Sequence, residues 1–260
     1  MMDAALDIAK EAGALLLERF GRLSGAEIER KGPRDFVTAA DRDAEALIVR
    51  RLSQAFPEHG ILAEEGGGRD DARDRPTWVV DPLDGTTNYM HGIPFFAVSL
   101  GLVTAGRPVL GVVHAPALAQ TFWGGPGQGA WEGDRPISVS VTPSLPDALL
   151  ATGFAYDIER LPDDNLDNLA RIARVARGIR RFGSAALDLA YVASGRLDGY
   201  WELHLSPWDV AGGAAILLAA GGELTDFRGG SDWLFGRNLV ATNGMIHAVL
   251  RGHLAPLRGL

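Results

Sequence analysis

A chain of 260 residues, 47% of them apolar and 22% charged, has material for a large core and too little charge for a disordered polypeptide. The net charge of −8 argues against a general nucleic-acid or membrane-surface binder, which needs a basic field, but leaves anionic substrates open because bound cations reverse the sign of a site. The absence of cysteine excludes disulfides, thiolate metal sites and thiol nucleophiles.

In chain order, Leu6, Ala9, Gly13, Leu16 and Phe20 recur at steps of three and four, which predicts a helix over 2–20 with Gly21 as its stop. A second helix is expected after Asp41, burying Ala44, Leu47, Ile48 and Leu52 and broken by Pro57. Two strands follow: Gly60–Ala63, running into Glu64-Glu65, and Thr77–Val80, running into Asp81. Residues Phe96–Thr104 and Val109–His114 read as a hairpin joined at Ala105–Pro108. The glycine-rich stretch 124–133 reads as turns between short strands, and Pro136–Val141 as a further strand. The second half reads as more helical. Helices are expected over Pro162–Ala176, over Ser184–Ala193 and after Ser206, where Pro207 suits the first helical position and Gly221-Gly222 closes the element. No repeat or clear linker interrupts the chain, so it reads as one domain, 1–260. The break near 141–147 separates lobes of about 1–141 and 142–260.

The start of the chain lacks a basic region followed by an apolar run, and the longest apolar run, near Val210–Ala220, is shorter than the ~20 residues a membrane span needs. The expectation is a cytoplasmic protein with no membrane and no nucleic-acid partner.

Carboxylates at the ends of apolar segments carry the chemical signal. Glu64 ends one strand, Asp81 ends the next, Asp84 follows across Pro82, Asp209 lies in the first turn of a helix and Asp41 opens another. Hard oxygen ligands without histidine or cysteine suit Mg²⁺ or Mn²⁺ rather than Zn²⁺. Pro82 restricts the backbone so that Asp81 and Asp84 can turn to one site, Gly85 admits close approach of an anion, and Thr86 offers a hydroxyl to orient water. Taken singly, each feature has an ordinary reading. Asp-Gly is a common turn, Glu64-Glu65 a solvated acidic loop, and Thr38/Asp41 and Ser206/Asp209 are helix starts. Their joint occurrence is what points to metal-assisted phosphoryl transfer. His91, His114 and His204 have no metal-pair spacing. Trp123, Trp131, Trp201 and Trp233 suit packing, and Arg171, Arg174, Arg177, Arg180 and Arg181 read as a surface or dimer-facing strip.

The segment Trp78–Tyr89, with Asp81-Pro82-Leu83-Asp84-Gly85-Thr86-Thr87 at its centre, closely resembles the first signature of the inositol monophosphatase family. Trp208-Asp209-Val210-Ala211-Gly212 with Ala219–Gly222 resembles the second, and Asp35–Asp41 and Ala63–Glu65 fit the upstream motifs in order, so the resemblance runs from about Lys31 to Gly244. It implies a layered αβαβα sandwich of α/β type and hydrolysis of a small polyol or sugar phosphate, myo-inositol monophosphate first, by in-line attack of a metal-activated water. Glu64, Asp81, the Leu83 carbonyl, Asp84 and Asp209 would ligate two to three Mg²⁺, with Mn²⁺ as substitute. Thr86, Asp41 and Glu64 would be catalytic. Gly85 and Thr86 would hold phosphate, Ser184, Ala185 and Glu202 the alcohol, and Lys31 would sit on a loop near the metals. The resemblance also implies a homodimer and lithium sensitivity. Other phosphatase substrates in such a family are histidinol phosphate, fructose 1,6-bisphosphate, adenosine 3′,5′-bisphosphate and NADP(H). A different class, binding to the transcription machinery, stays open beside them.

Overall fold

A computed structural model describes residues 1–22, 28–30, 36–66 and 75–254. The first part of the chain forms α1 (Met2–Arg19), β1 (Ile28–Arg30), β2 (Phe36–Thr38), α2 (Ala39–Ala55), β3 (Gly60–Ala63), β4 (Thr77–Asp84) and α3 (Thr86–Met90). Strands β5 (Ala97–Thr104), β6 (Arg107–Ala115), β7 (Gln120–Gly125), β8 (Gly129–Glu132) and β9 (Arg135–Ile137) follow. The second part contributes β10 (Leu149–Thr152), α4 (Leu166–Ile172), β11 (Gly178–Arg180), α5 (Ala185–Ala193), β12 (Gly199–Leu203), α6 (Pro207–Ala219), β13 (Glu223–Thr225), β14 (Asn238–Thr242) and α7 (His247–His253).

Two sheets organise these elements. One has the order β3-β4-β5-β6-β7-β8-β9, with β3 and β4 parallel and the remaining pairs antiparallel; the other has the order β11-β10-β12-β14-β13. Strand alternation assigns the faces. Trp78 and Val80 of β4 pack with Ile8, Leu16, Ile48 and Leu52 of α1 and α2. Val79, between them, packs with Leu187 of α5 and Ala211 of α6. In the second sheet Ala151 and Tyr200 join that same central core, whereas Leu150 and Trp201 pack with Ile172 of α4 and Leu250 of α7. Five layers result, helix–sheet–helix–sheet–helix, with three cores between them. This is the expected αβαβα sandwich.

The central layer lies unusually close to the first sheet because glycines face each other there. A methyl on Gly101 would stand 2.6 Å from the Ala211 Cβ, and one on Gly212 would stand 2.6 Å from the Ser99 Oγ. A methyl on Gly111 would run into the Gly212 carbonyl oxygen. Small residues thus let α6 sink onto β5 and β6, which fixes the height of its N-terminus above the sheet.

Several expected elements differ. The helix expected over 162–176 shrinks to α4, because Asn165 takes a left-handed conformation (φ 67°) and donates its side-chain amide to Thr152 Oγ1 and the Gly153 carbonyl. That side chain competes with the helical backbone. The arginine strip is therefore not one helix face, since only Arg171 lies in α4. The expected strand 136–141 is the shorter β9, and the strand expected at Thr77–Val80 continues to Asp84.

Gly111→Ala should lower the melting temperature by several degrees, from an overpacking cost of about 1–3 kcal/mol. Thermal unfolding checks this, and an unchanged midpoint would show that α6 is not seated by the glycine contact.

Candidate functional site

The site begins with an irregularity in β4. Asp81 pairs with Ser99 and Asp84 with Ala97, so three steps along β4 match two steps along β5. One extra residue is accommodated where Pro82 lacks the N–H a regular ladder would use. Without it, residues three apart would point to opposite faces. With it, Asp81 and Asp84 share the face that looks toward α6, while the Leu83 side chain packs with the α1/α2 core. Leu83 N–H donates to Asp81 Oδ1 at 3.0 Å, which braces the bulge. Glu64 follows β3 directly, and its N–H donates to the Val80 carbonyl, so parallel pairing sets it beside Asp81.

The α2 side contributes Asp41. Its Oδ2 accepts from Thr38 N–H at 2.9 Å and Thr38 Oγ1 at 2.5 Å, a capping box at the start of α2. Its Oδ1 accepts from Thr86 Oγ1 at 3.1 Å, and Thr86 Oγ1 also stands 3.1 Å from the Leu83 carbonyl. One hydroxyl proton faces two acceptors, so it serves one at a time and the oxygen keeps lone-pair capacity. Gly85 precedes α3 with φ 97°, and a Cβ there would press on the carbonyls of Phe95 and Gly183 at 3.1 and 3.2 Å. Only glycine fits that position. Burial pushes the Asp41 carboxyl up from its ordinary pKa, and the hydrogen bonds from Thr38 oppose the shift.

The second half of the chain closes the site. Ser184 Oγ donates to Asp84 Oδ2 at 2.6 Å and Ala186 N–H to the same oxygen at 2.7 Å, so the start of α5 grips Asp84. Ser206 N–H donates to Asp209 Oδ2 at 2.6 Å. The cap readings of Asp41 and Asp209 are therefore realised together with their place in the cluster. Glu202 accepts from the Tyr200 hydroxyl and lies against Gly153, whose missing Cβ makes the room. Glu64, Asp84, Ser184, Ala185, Glu202 and Asp209 all line one cavity of about 450 Å³. Lys31 lies outside the described residues.

Several lining residues were not singled out for the site from sequence, Tyr156, Arg160 and Arg237 among them, and three more are Arg181, His204 and Asp188. Arg181, assigned to the surface strip, lines the cavity, and so does His204, which is left-handed (φ 65°) and hydrogen-bonded to the Asp163 carbonyl. Asp188 is the third. The signal for it was available: it is the lone acid in an otherwise apolar helix, one turn after Ser184.

Burial and mutual repulsion dominate the electrostatics. Desolvation, then the charges of Glu64, Asp84 and Asp209, raise Asp81 well above the carboxylate range. Desolvation, then the charge of Asp84, raises Asp209 likewise. Desolvation lifts Asp84 to about 6 against the bonds from Ser184 and Ala186, and lifts Glu202 to about 7 against the Tyr200 bond. Arg181 is the cation that opposes the shifts at Asp84, Asp188 and Glu202. Among the described residues no three acidic or histidine side chains are already closed around one ion-sized point. Asp81, Asp84 and Asp209 instead each take a hydrogen bond from a neighbouring N–H or O–H. The donor set itself, carboxylate oxygens with no sulfur or imidazole, fits a hard divalent cation such as Mg²⁺.

The chain resembles known proteins over nearly its whole length. The model of the inositol monophosphatase family matches residues 1–258. The chain is 40% identical over 258 residues to an inositol-1-monophosphatase of Mesorhizobium japonicum, covering 99% of this chain and 97% of that one. It is 43% identical over 249 residues to a protein of Pseudomonas aeruginosa named Nus factor SuhB, covering 94% and 91%. The solved structure of extragenic suppressor protein suhB from Bartonella henselae superposes with a TM-score of 0.90 at 41% identity, covering 97% of each chain.

The raised carboxyls set a pH dependence for the cation-free protein. A carboxyl with higher proton affinity in the folded chain stabilises the fold while protonated, and that contribution is lost as pH rises through its folded pKa. His114, held down to about 4, and His247, also lowered, both mainly by burial, work in the opposite direction, but that contribution is nearly complete about one unit above the free imidazole value of 6.5. Melting temperature in chelator should therefore fall as pH rises above about 7, the value for Glu202, and as Asp81, Asp188 and Asp209, all held well above the carboxylate range, ionise in turn. A flat or rising profile in that window would contradict the electrostatics.

Proposed function

The chain belongs to the inositol monophosphatase family, and from that premise we propose that it is a divalent-cation-dependent phosphatase for a small polyol or sugar monoester, with myo-inositol monophosphate as the expected substrate. The observation that carries this reading is the set of carboxylates Glu64, Asp81, Asp84 and Asp209 beside the Asp81–Thr87 bulge and turn, in which the charges of Glu64 and Asp84 raise the proton affinity of both Asp81 and Asp209. With the Leu83 carbonyl they would hold two to three Mg²⁺, or Mn²⁺ in its place. When bound, the cations would lower the pKa of a water and offset charge on phosphate and leaving group.

The chain's own groups supply the rest. Thr86 Oγ1 donates toward Asp41, so its lone pair accepts a proton of the attacking water and Asp41 takes up the load. Glu64 orients the same water from the end of β3. The first N–H groups at Gly85 and Thr86 have no intrahelical carbonyl and face the phosphate. Ser184, Ala185 and Glu202 line the cavity on the alcohol side. Attack is in line, with no covalent phosphoenzyme. The protein works as one domain of two lobes, because α5 and α6 of the second half complete a cavity floored by the first, and it assembles as a homodimer. No helix among the described residues is long and apolar enough to cross a membrane, in keeping with action on a small dissolved ester in the cytoplasm.

Relatives named Nus factor SuhB favour a second reading, in which the chain also binds the transcription machinery apart from catalysis. Asp84→Asn separates the two, since it removes a cation-binding charge and leaves the exposed surface intact.

A screen of inositol, sugar, nucleotide and histidinol phosphates should show Mg²⁺-dependent phosphate release, abolished by chelator. Asp84→Asn should lower turnover by at least roughly 10²-fold with the folded circular dichroism spectrum retained. No release from any ester, or near-normal activity in Asp84→Asn, would sink the phosphatase reading.

A further inference from the structure

Asp188 is a carboxyl that neither the fold nor the reaction scheme above accounts for. It is 2% exposed, on a helix whose other buried members are Ala185, Ala186, Leu187, Leu189, Ala190, Val192 and Ala193. Its Oδ1 has no hydrogen-bond partner among the described residues. The other acids it faces are partnered: Asp84 accepts from Ser184 and Ala186, and Glu202 accepts from Tyr200. A first-turn acid favours the helix dipole, but a solvent-facing position would give that benefit without the cost of desolvation. Asp188 instead lines the cavity together with Glu202, Ser184 and Ala185, and the charges of Glu202 and Asp84 both raise its proton affinity.

A carboxyl that lines a cavity and has a buried oxygen without a hydrogen-bond partner fits a group that arrives with the ligand. A cation is the less suitable partner. Asp188 is one helical turn beyond Ser184, the group that turns Asp84 toward α5, and Arg181 already offsets its charge. An uncharged hydroxyl satisfies the position whether the carboxyl donates or accepts.

Resting on the phosphatase reading, we propose that Asp188 is a specificity-determining residue that pairs with Glu202 to form a two-carboxyl floor for a ligand carrying at least two hydroxyls away from its phosphate. The two carboxyls reach that floor from different elements, Asp188 from α5 and Glu202 from β12, so they engage separate hydroxyls of one polyol. Esters whose alcohol has no hydroxyls leave both positions unfilled.

The test compares the full-length wild type with Asp188→Asn, which keeps the side-chain volume, on myo-inositol 1-phosphate and on p-nitrophenyl phosphate. Asp188→Ala serves if the Asn variant does not fold. The expected result is a loss in kcat/KM of roughly tenfold or more on the inositol ester, mostly in KM. Turnover of the p-nitrophenyl ester and the Mg²⁺ dependence should be unchanged. An equal loss on both esters, no loss on either, or a shifted Mg²⁺ dependence would overturn the proposal. If the wild type hydrolyses neither ester, the phosphatase reading fails by itself. The rise in melting temperature produced by free myo-inositol then decides for Asp188: loss of that rise in the variant supports the inference, and an identical response in both proteins, or none in either, overturns it.

Discussion

Mutual repulsion among carboxylates that the fold will not let apart is the constraint on which this molecule turns. Asp81 and Asp84 are buried and Asp209 is half-buried, and Asp81 and Asp209 are raised well above the ordinary carboxylate range by desolvation and by neighbouring carboxylates. An isolated buried charge is strongly unfavourable, so a chain that keeps several together must either protonate them or neutralise them with cations. The rest of the architecture can be understood as the means of holding them.

Three devices do the holding. The bulge at Pro82 puts Asp81 and Asp84 on one face of β4, and the parallel partner β3 delivers Glu64 beside them. Facing glycines let α6 settle on β5 and β6, which sets its first turn, with Asp209, above that face. The start of α5 ties Asp84 through Ser184 and Ala186. None of these depends on a long flexible side chain, so the charges are positioned by backbone geometry and stay positioned as their protonation changes. Asp41 enters from the opposite helix layer and meets Thr86 at the strand end, the place where both faces of the sheet are within reach.

Much of this was legible in the sequence because it is local. The helix starts at Thr38 and Ser206, β3, and the strand leading into Asp81 follow from short patterns, and the capping boxes formed as written. The same-face placement of Asp81 and Asp84 is implicit in Pro82. The second sheet was not read from pattern and came only through the family resemblance. Its strands are three to five residues long, and the inner ones, such as Leu149–Thr152 and Gly199–Leu203, are buried on both faces, so they show no alternation to detect. The overlong helix at 162–176 failed because the Asn165 amide bonds to Thr152 and Gly153, partners more than ten residues away that no local rule supplies. Arg181 was legible as a charge but not as a cavity residue, since that depends on the turn leading into α5.

The most direct test of the central claim is proton release on cation binding. Calorimetric titration of Mg²⁺ into the chelator-treated protein near pH 7, repeated in buffers of differing ionisation enthalpy, counts the protons exchanged. Carboxyls whose proton affinity is raised by burial and by neighbouring charges give up protons when a cation takes their place. The account predicts net release of protons, diminished in Asp209→Asn. Binding with no proton release, or no binding at all, would show that the cluster is not the electrostatically loaded site described here.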